Sequence, residues 1–275
     1  MLEANPSGSS GPEASWAVGN GAALVENADG AGRYVIVCEH ASNVIPGRLG
    51  DLGLTAADLT RHIAWDPGAL GVARVLAREL DAPLVSCRVS RLVIDCNRDP
   101  AMFDAIPLRS EDTDIPGNAG LDEAERQRRV GEVYEPFHAC IAAAVEAKRV
   151  SGPVAVIGVH SFTPVYRGAL RPWHIGVLFD HDESLSAPML AALRRDETLT
   201  VGANEPYSPG DRVYHTLDRH GQSRGLSSVM IEIRNDLLST EQQEAIWGMK
   251  LACILKSIAA PPAGNTLARR AGAGL

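Results

Sequence analysis

Residues 34–46 read YVIVCEHASNVIP, and the change of character halfway along this stretch decides the fold. Tyr34 to Cys38 form a continuous apolar run, the pattern of a strand covered on both faces. Glu39, His40, Ser42 and Asn43 then follow at once. A strand that stops on a carboxylate, an imidazole, a hydroxyl and an amide carries polar chemistry to the edge of a sheet.

The pattern repeats along the chain. Further runs rich in Val and Ile are APLVSC (82–87), LVIDCN (92–97), VAVIGVH (154–160), HIGVLFD (174–180) and SSVMIEI (227–233), each of strand length. Between them lie segments with helical spacing of apolar residues at 66–81, 121–150, 186–196 and 239–258. Pro67 suits the first turn of the first, Pro136 kinks or divides the second, and Ser239 or Thr240 caps the last. Alternation of this kind predicts an α/β three-layer sandwich with a mixed, largely parallel sheet. The predicted organisation is a flexible arm at 1–30, a single domain at 31–260 and a flexible tail at 261–275, because both ends are rich in Gly, Ala and Pro.

Composition narrows the partners. A net charge of −8 and a pI near 5.5 argue against nucleic acid or an anionic membrane surface. A hydrophobic share of 45% supports a sizeable core, and no run is long enough to cross a membrane. The N-terminus has neither the basic nor the apolar region of a secretory signal, and the five cysteines form no Cys-x-x-Cys pair. The expectation is a cytoplasmic protein with reduced, buried thiols. Its expected partner is a small anionic substrate, with oligomeric state left open.

The polar clusters fall at strand ends: Glu39-His40, Asp95-Cys96-Asn97-Arg98, His160-Ser161 and Asp180-His181-Asp182, with Glu232 and Arg234 on the last strand. Ligands gather beyond the carboxyl ends of strands in open α/β sheets. His40 and His160 there suit a divalent metal, and two imidazoles favour zinc over manganese, cobalt or iron. A third ligand is open between Asp66, Glu39 and the Asp180 cluster. Asp66 is also a candidate helix N-cap, and His62 four residues before it would share its helical face. Arg91, Asn97 and Arg98 suit a substrate carboxylate, against ion pairing of Arg98 with Asp95 or Asp99. Glu232, in an apolar strand, is a general base raised by burial or a partner of Arg91 or Arg224. His138 reads as structural; His215 and His220 stay open. Dinucleotide fingerprints, P-loops and nucleophile elbows are missing from the sequence.

In order, the segments CEHASNVIP, WDPGALGVARVLA, SRLVIDCNRDP, GVHSFTPVYRG and EIRNDLL resemble the N-formylglutamate amidohydrolase family over 34–238. The resemblance implies a fold similar to zinc carboxypeptidases (phosphorylase/hydrolase-like) and an amidohydrolase acting on an N-formyl or other short N-acyl amino acid. It implies Zn2+ on His40, Asp66 and His160, and Glu232 as general base. Arg91, Asn97 and Arg98 would hold the substrate carboxylate, and Arg167 would help stabilise the oxyanion. Glu39 and Ser42 depart from the family pattern and mark a divergent branch. A carboxypeptidase-like hydrolase of a small peptide or amide, and a non-catalytic binder of an anionic metabolite, are the competing readings.

Overall fold

The computed structural model describes residues 21–258. Seven strands form one mixed sheet: β1 (Ala23–Glu26), β2 (Tyr34–Cys38), β3 (Leu84–Cys87), β4 (Ala155–Phe162), β5 (Ile175–Leu178), β6 (Val201–Ala203) and β7 (Ser227–Arg234). Their order across the sheet is β1-β3-β2-β4-β7-β5-β6. The central strands β3, β2, β4 and β7 are parallel; β1 pairs antiparallel with β3, and β5 antiparallel with β7.

The helices are α1 (Ala56–Thr60), α2 (Ala69–Glu79), α3 (Glu123–Arg129), α4 (Glu135–Arg149), α5 (Ser186–Leu193), α6 (His215–His220) and α7 (Glu241–Ser257). Alternation within the strands shows why both faces need cover. Tyr34, Ile36 and Cys38 of β2 join the core beneath α2, α5 and α7, while Val35 and Val37 join the core beneath α4 and α6. The result is the α/β sandwich expected from the continuous apolar runs.

The helical segment at 121–150 is divided as Pro136 requires. Pro136 has no N–H to give the carbonyl four residues back, and the widened π turn Val130–Tyr134 precedes α4. Thr240 caps α7, accepting from the backbone N–H of Gln243 at 3.2 Å.

Two expectations change. LVIDCN (92–97) is not a strand but a series of turns. Its backbone groups are taken locally and by side chains from elsewhere. Asn97 N–H donates to Asp95 Oδ1 at 2.9 Å, Arg129 donates to the Val93 carbonyl at 3.0 Å, and Asn118 to the Leu92 carbonyl at 2.8 Å. Arg129 reaches it from α3 and is fully buried. The second change is β1, which lies inside the segment expected to be an arm. Both β1 and β6 are short edge strands with partly exposed side chains, so neither has the continuous apolar run of a central strand. The tail expected at 261–275 lies outside the described residues, as do residues 1–20.

Candidate active site

The loops beyond the carboxyl ends of β2 and β3 are bonded to one another. Asp66 N–H donates to the His40 carbonyl at 2.9 Å, Ser90 N–H to the Val44 carbonyl at 2.8 Å, and the Ser90 hydroxyl to the Ala64 carbonyl at 2.8 Å. Asp66 is therefore fixed in the sheet's polar edge. It is not the N-cap of α2; that place belongs to Gly68, at φ 79°. A Cβ on Gly68 would lie 2.3 Å from Leu238 Cβ, so the turn that aims Asp66 inward needs glycine for both backbone and space.

Asp66 Oδ2 sits between two imidazoles, 2.9 Å from His160 Nδ1 and 3.3 Å from His40 Nδ1. All three residues are buried, and each offers a ligand atom within 4.8 Å of the others. Ligand atoms about 2.0–2.2 Å from a tetrahedral zinc lie roughly 3.3 Å apart, a spacing close to these. The far nitrogen of each ring meets another carboxylate. His40 Nε2 lies 2.8 Å from Asp95 Oδ1, and His160 Nε2 lies 3.1 Å from Glu39 Oε2, the latter off the angle of a hydrogen bond. Carboxylates behind imidazoles in this way leave the opposite nitrogens for a metal. Glu39, whose place was open, thus backs His160, and Asp95 backs His40.

The charge balance also fits a cation. Glu39, Asp66, Asp95 and Glu232 are all buried in this one place. Arg91 faces two of them, with Nη2 at 2.8 Å from Asp95 Oδ2 and Nη1 at 3.5 Å from Asp66 Oδ1. Burial pushes the Glu39 carboxyl up, but His160, together with His40 and Thr216, outweighs burial and holds it at about 2. Burial likewise opposes ionisation of Asp66 and Asp95, yet His40 and His160 around the first and Arg91 and His40 around the second keep both well below the usual range. The histidines move the other way. Burial lowers both, while Asp95 and Asp66 raise His40, and Glu39 and Asp66 raise His160 well above its ordinary value.

Glu232 is different. It stands beside His160 in the β7–β4 register, its Oε2 is buried without a hydrogen-bond partner, and burial pushes its carboxyl up to about 7. Neither Arg91 nor Arg224 holds it: Arg91 is spent on Asp95 and Asp66, and Arg224 on Glu146.

A cavity of about 200 Å³ opens onto this group, lined by His40, Asp66, His160, Glu232, Arg91, Asn97 and Arg98 among others. The three candidate carboxylate binders therefore reach it, though Asn97 also donates to the Val213 carbonyl and accepts from Thr216 N–H, tying down the loop before α6. Arg98 pairs with Asp104 at 3.6 Å, not with Asp95 or Asp99. Arg167 does not join the site. It is exposed in the turn between the short strands Val165–Tyr166 and Ala169–Leu170, at φ 48°, and stacks on Tyr166. Asp180, His181 and Asp182 form a turn away from the cavity, with His181 90% exposed.

The structure also brings to the cavity residues to which no site role was assigned from sequence. His62 lines the cavity with Nδ1 3.3 Å from Asp66 Oδ1, and burial pushes it down to about 4. Tyr166 and Tyr207 form another part of the wall. His215 and His220 do not line it; they group with Tyr134 and His138 behind it.

A family model described as N-formylglutamate amidohydrolase matches residues 32–239. The crystal structure of gene product Atu2144 from Agrobacterium tumefaciens is 47% identical, covers 86% of this chain and 96% of its own, and superposes with a TM-score of 0.82. The N-formylglutamate amidohydrolase from Ralstonia eutropha JMP134 is 22% identical over 85% of this chain and 95% of its own, with a TM-score of 0.57, and shares the fold. No curated protein matches. No helix of the described residues is long and apolar enough to cross a membrane.

Proposed function

This chain belongs to the N-formylglutamate amidohydrolase family, hydrolases of an amide bond, and on that premise we propose that it removes a formyl or other short acyl group from an N-acyl amino acid in the cytoplasm, using a divalent metal, with zinc the first choice. The observation that carries this reading is the buried His40–Asp66–His160 group beside an unpartnered Glu232. A pure anion binder has no use for that combination.

His40, Asp66 and His160 would hold the metal, which would supply Lewis-acid polarisation of the amide carbonyl. Glu232, at about 7, can take the proton of the attacking water as its oxygen bonds to the acyl carbon. As the C–N bond breaks, Glu232 returns that proton to the amine nitrogen, giving a carboxylic acid and a free amino acid. Arg98, on the cavity wall, meets the amino-acid carboxylate. Arg91 keeps Asp95 and Asp66 ionised and so supports the histidines more than the substrate.

The test is a panel of N-formyl and N-acetyl amino acids and short peptides, with wild-type enzyme, chelated enzyme and Glu232→Gln. N-formylglutamate or a close relative should be the best substrate. Chelation and Glu232→Gln should each lower kcat at least about 100-fold. Full activity in both would overturn the scheme, and a preference for peptides would favour the carboxypeptidase-like reading.

A further inference from the structure

The scheme above leaves the oxyanion of the tetrahedral intermediate without a protein donor, since Arg167 points into solvent. We infer that Tyr207 is that donor, a catalytic residue whose phenolic O–H is aimed at the substrate oxygen by Arg171. The inference rests on the amidohydrolase reading and adds a residue to it.

Placement comes from the sheet. Gly176 of β5 is the register neighbour of Glu232 on β7. Ile175 and Val177 point into the core beneath α2, α5 and α7, so the side of Gly176 that lacks a Cβ faces the opposite layer. There a Cβ would lie 2.0 Å from the Glu205 carbonyl oxygen. The bare backbone of Gly176 thus lets the 205–207 segment lie directly against the strand, and it delivers Tyr207 to the cavity wall beside Glu232. Burial first, and then the charge of Glu232, push Tyr207 up to about 12, so the hydroxyl keeps its proton.

Direction comes from Arg171. Its Nη1 donates to Tyr207 Oη at 2.9 Å. A guanidinium cannot accept, so the phenol oxygen accepts here and its own hydrogen remains for another partner. Among the described residues no acceptor takes that hydrogen. Arg171 is itself buried, and its guanidinium lies 4.5 Å from the Tyr166 ring centre, 4.7 Å from that of Tyr207 and 5.8 Å from that of Phe162. Among the described residues it has no carboxylate partner. A buried cation held by rings and one phenol polarises that phenol as a donor, which makes Arg171 a positioning residue.

The test uses the best substrate of the panel with wild type, Tyr207→Phe, Arg171→Lys and Arg171→Met, each checked for a native melting profile. Loss of one oxyanion donor lowers kcat by roughly 100- to 1000-fold. Tyr207→Phe should do this with KM within about threefold of wild type, and Arg171→Lys should retain more kcat than Arg171→Met. An active wild type with an unaffected Tyr207→Phe overturns the assignment alone. So does a loss carried by KM, which would make Tyr207 an anchor for the substrate carboxylate. A wild type inert on the whole panel overturns the parent reading and this assignment with it.

Discussion

Replacing Asp95 by Asn tests the part of the site that the sequence left hidden. Asp95 Oδ1 faces His40 Nε2 at 2.8 Å and accepts from Asn97 N–H at 2.9 Å, while Oδ2 accepts from Arg91 Nη2 at 2.8 Å. With every neighbour a donor, His40 keeps its hydrogen on Nε2, and Nδ1, which faces Asp66, is the nitrogen that would give up its proton to a metal. An asparagine has one acceptor oxygen and an NH2 in place of the second. With the oxygen toward His40, the NH2 opposes the Arg91 guanidinium. With the NH2 toward His40, the ring is driven to the tautomer whose hydrogen sits on Nδ1, where a metal must bind. Either way one charge-assisted hydrogen bond is lost, worth about 1.5–3 kcal/mol. Carboxylates behind metal-binding histidines are worth roughly 10- to 100-fold in metal affinity, or about 1.4–2.7 kcal/mol, so the two estimates agree. Competition against a chromophoric chelator should show zinc affinity falling by that factor. Asp182→Asn, which removes the same charge from an exposed turn, should leave it unchanged. Equal affinities for wild type and a folded Asp95→Asn, or an equal loss in Asp182→Asn, would show that Asp95 does not hold His40 for a metal.

Stability should fall with acid through the histidine pair behind the site. His138 Nε2 faces the Cys96 carbonyl at 2.9 Å and so carries the hydrogen; its Nδ1 accepts from His220 Nε2 at 2.8 Å. Burial holds both rings down at about 3, against 6.5 unfolded, so their contribution is complete above pH 6.5 and is lost as pH drops toward 3. Each should cost about 1 kcal/mol between pH 6 and pH 5, seen in urea melts as a steeper pH slope for wild type than for a His138→Gln/His220→Gln double variant; matching slopes would contradict it. Metal uptake should release protons. His40 and His160 are raised in the metal-free site, and a ligating imidazole must be neutral, so affinity should climb as pH rises above 6.5. Calorimetry in buffers of different ionisation enthalpy counts those protons, and a count of zero would be the contrary result.

Legibility from sequence follows what each residue's role depends on. His40, His160 and Glu232 announce themselves because each is polar at the end of, or inside, an apolar run, and burial of such a group demands a reason. Asp66 is legible only in part: WDPG marks a turn, but the closeness of Gly68 to Leu238 decides that the carboxylate points inward. The 92–97 segment misleads because its apolar residues suit a strand, while Arg129 and Asn118, distant in sequence, take carbonyls a ladder would have used. Asp95 consequently looked like an interruption or a partner for Arg98, and its bond to His40 was out of reach. Tyr207 and Arg171 lie in loops with no periodicity, and nothing local separates Arg171 from the exposed Arg167 four residues earlier. What tells them apart is a cage of rings assembled from three separate segments.

Four carboxylates share this cavity edge, and the fold gives them different work through their neighbours. Glu39, Asp66 and Asp95 each meet an imidazole or guanidinium within 3.1 Å, which keeps them ionised despite burial. Glu232 has no such contact among the described residues, so burial outweighs the more distant charges and pushes its carboxyl up to about 7. Yet Glu232 and His160 are register partners on adjacent parallel strands, a spacing of about 4.8 Å that the sheet itself enforces. The proposed base and one proposed metal ligand therefore cannot drift apart without breaking the central ladder. Arg98, Arg171 and Tyr207 hang on the loops around that ladder and are free to change with the substrate. Glu39 would reach a substrate only through His160, so its charge would adjust an imidazole rather than select an acyl group.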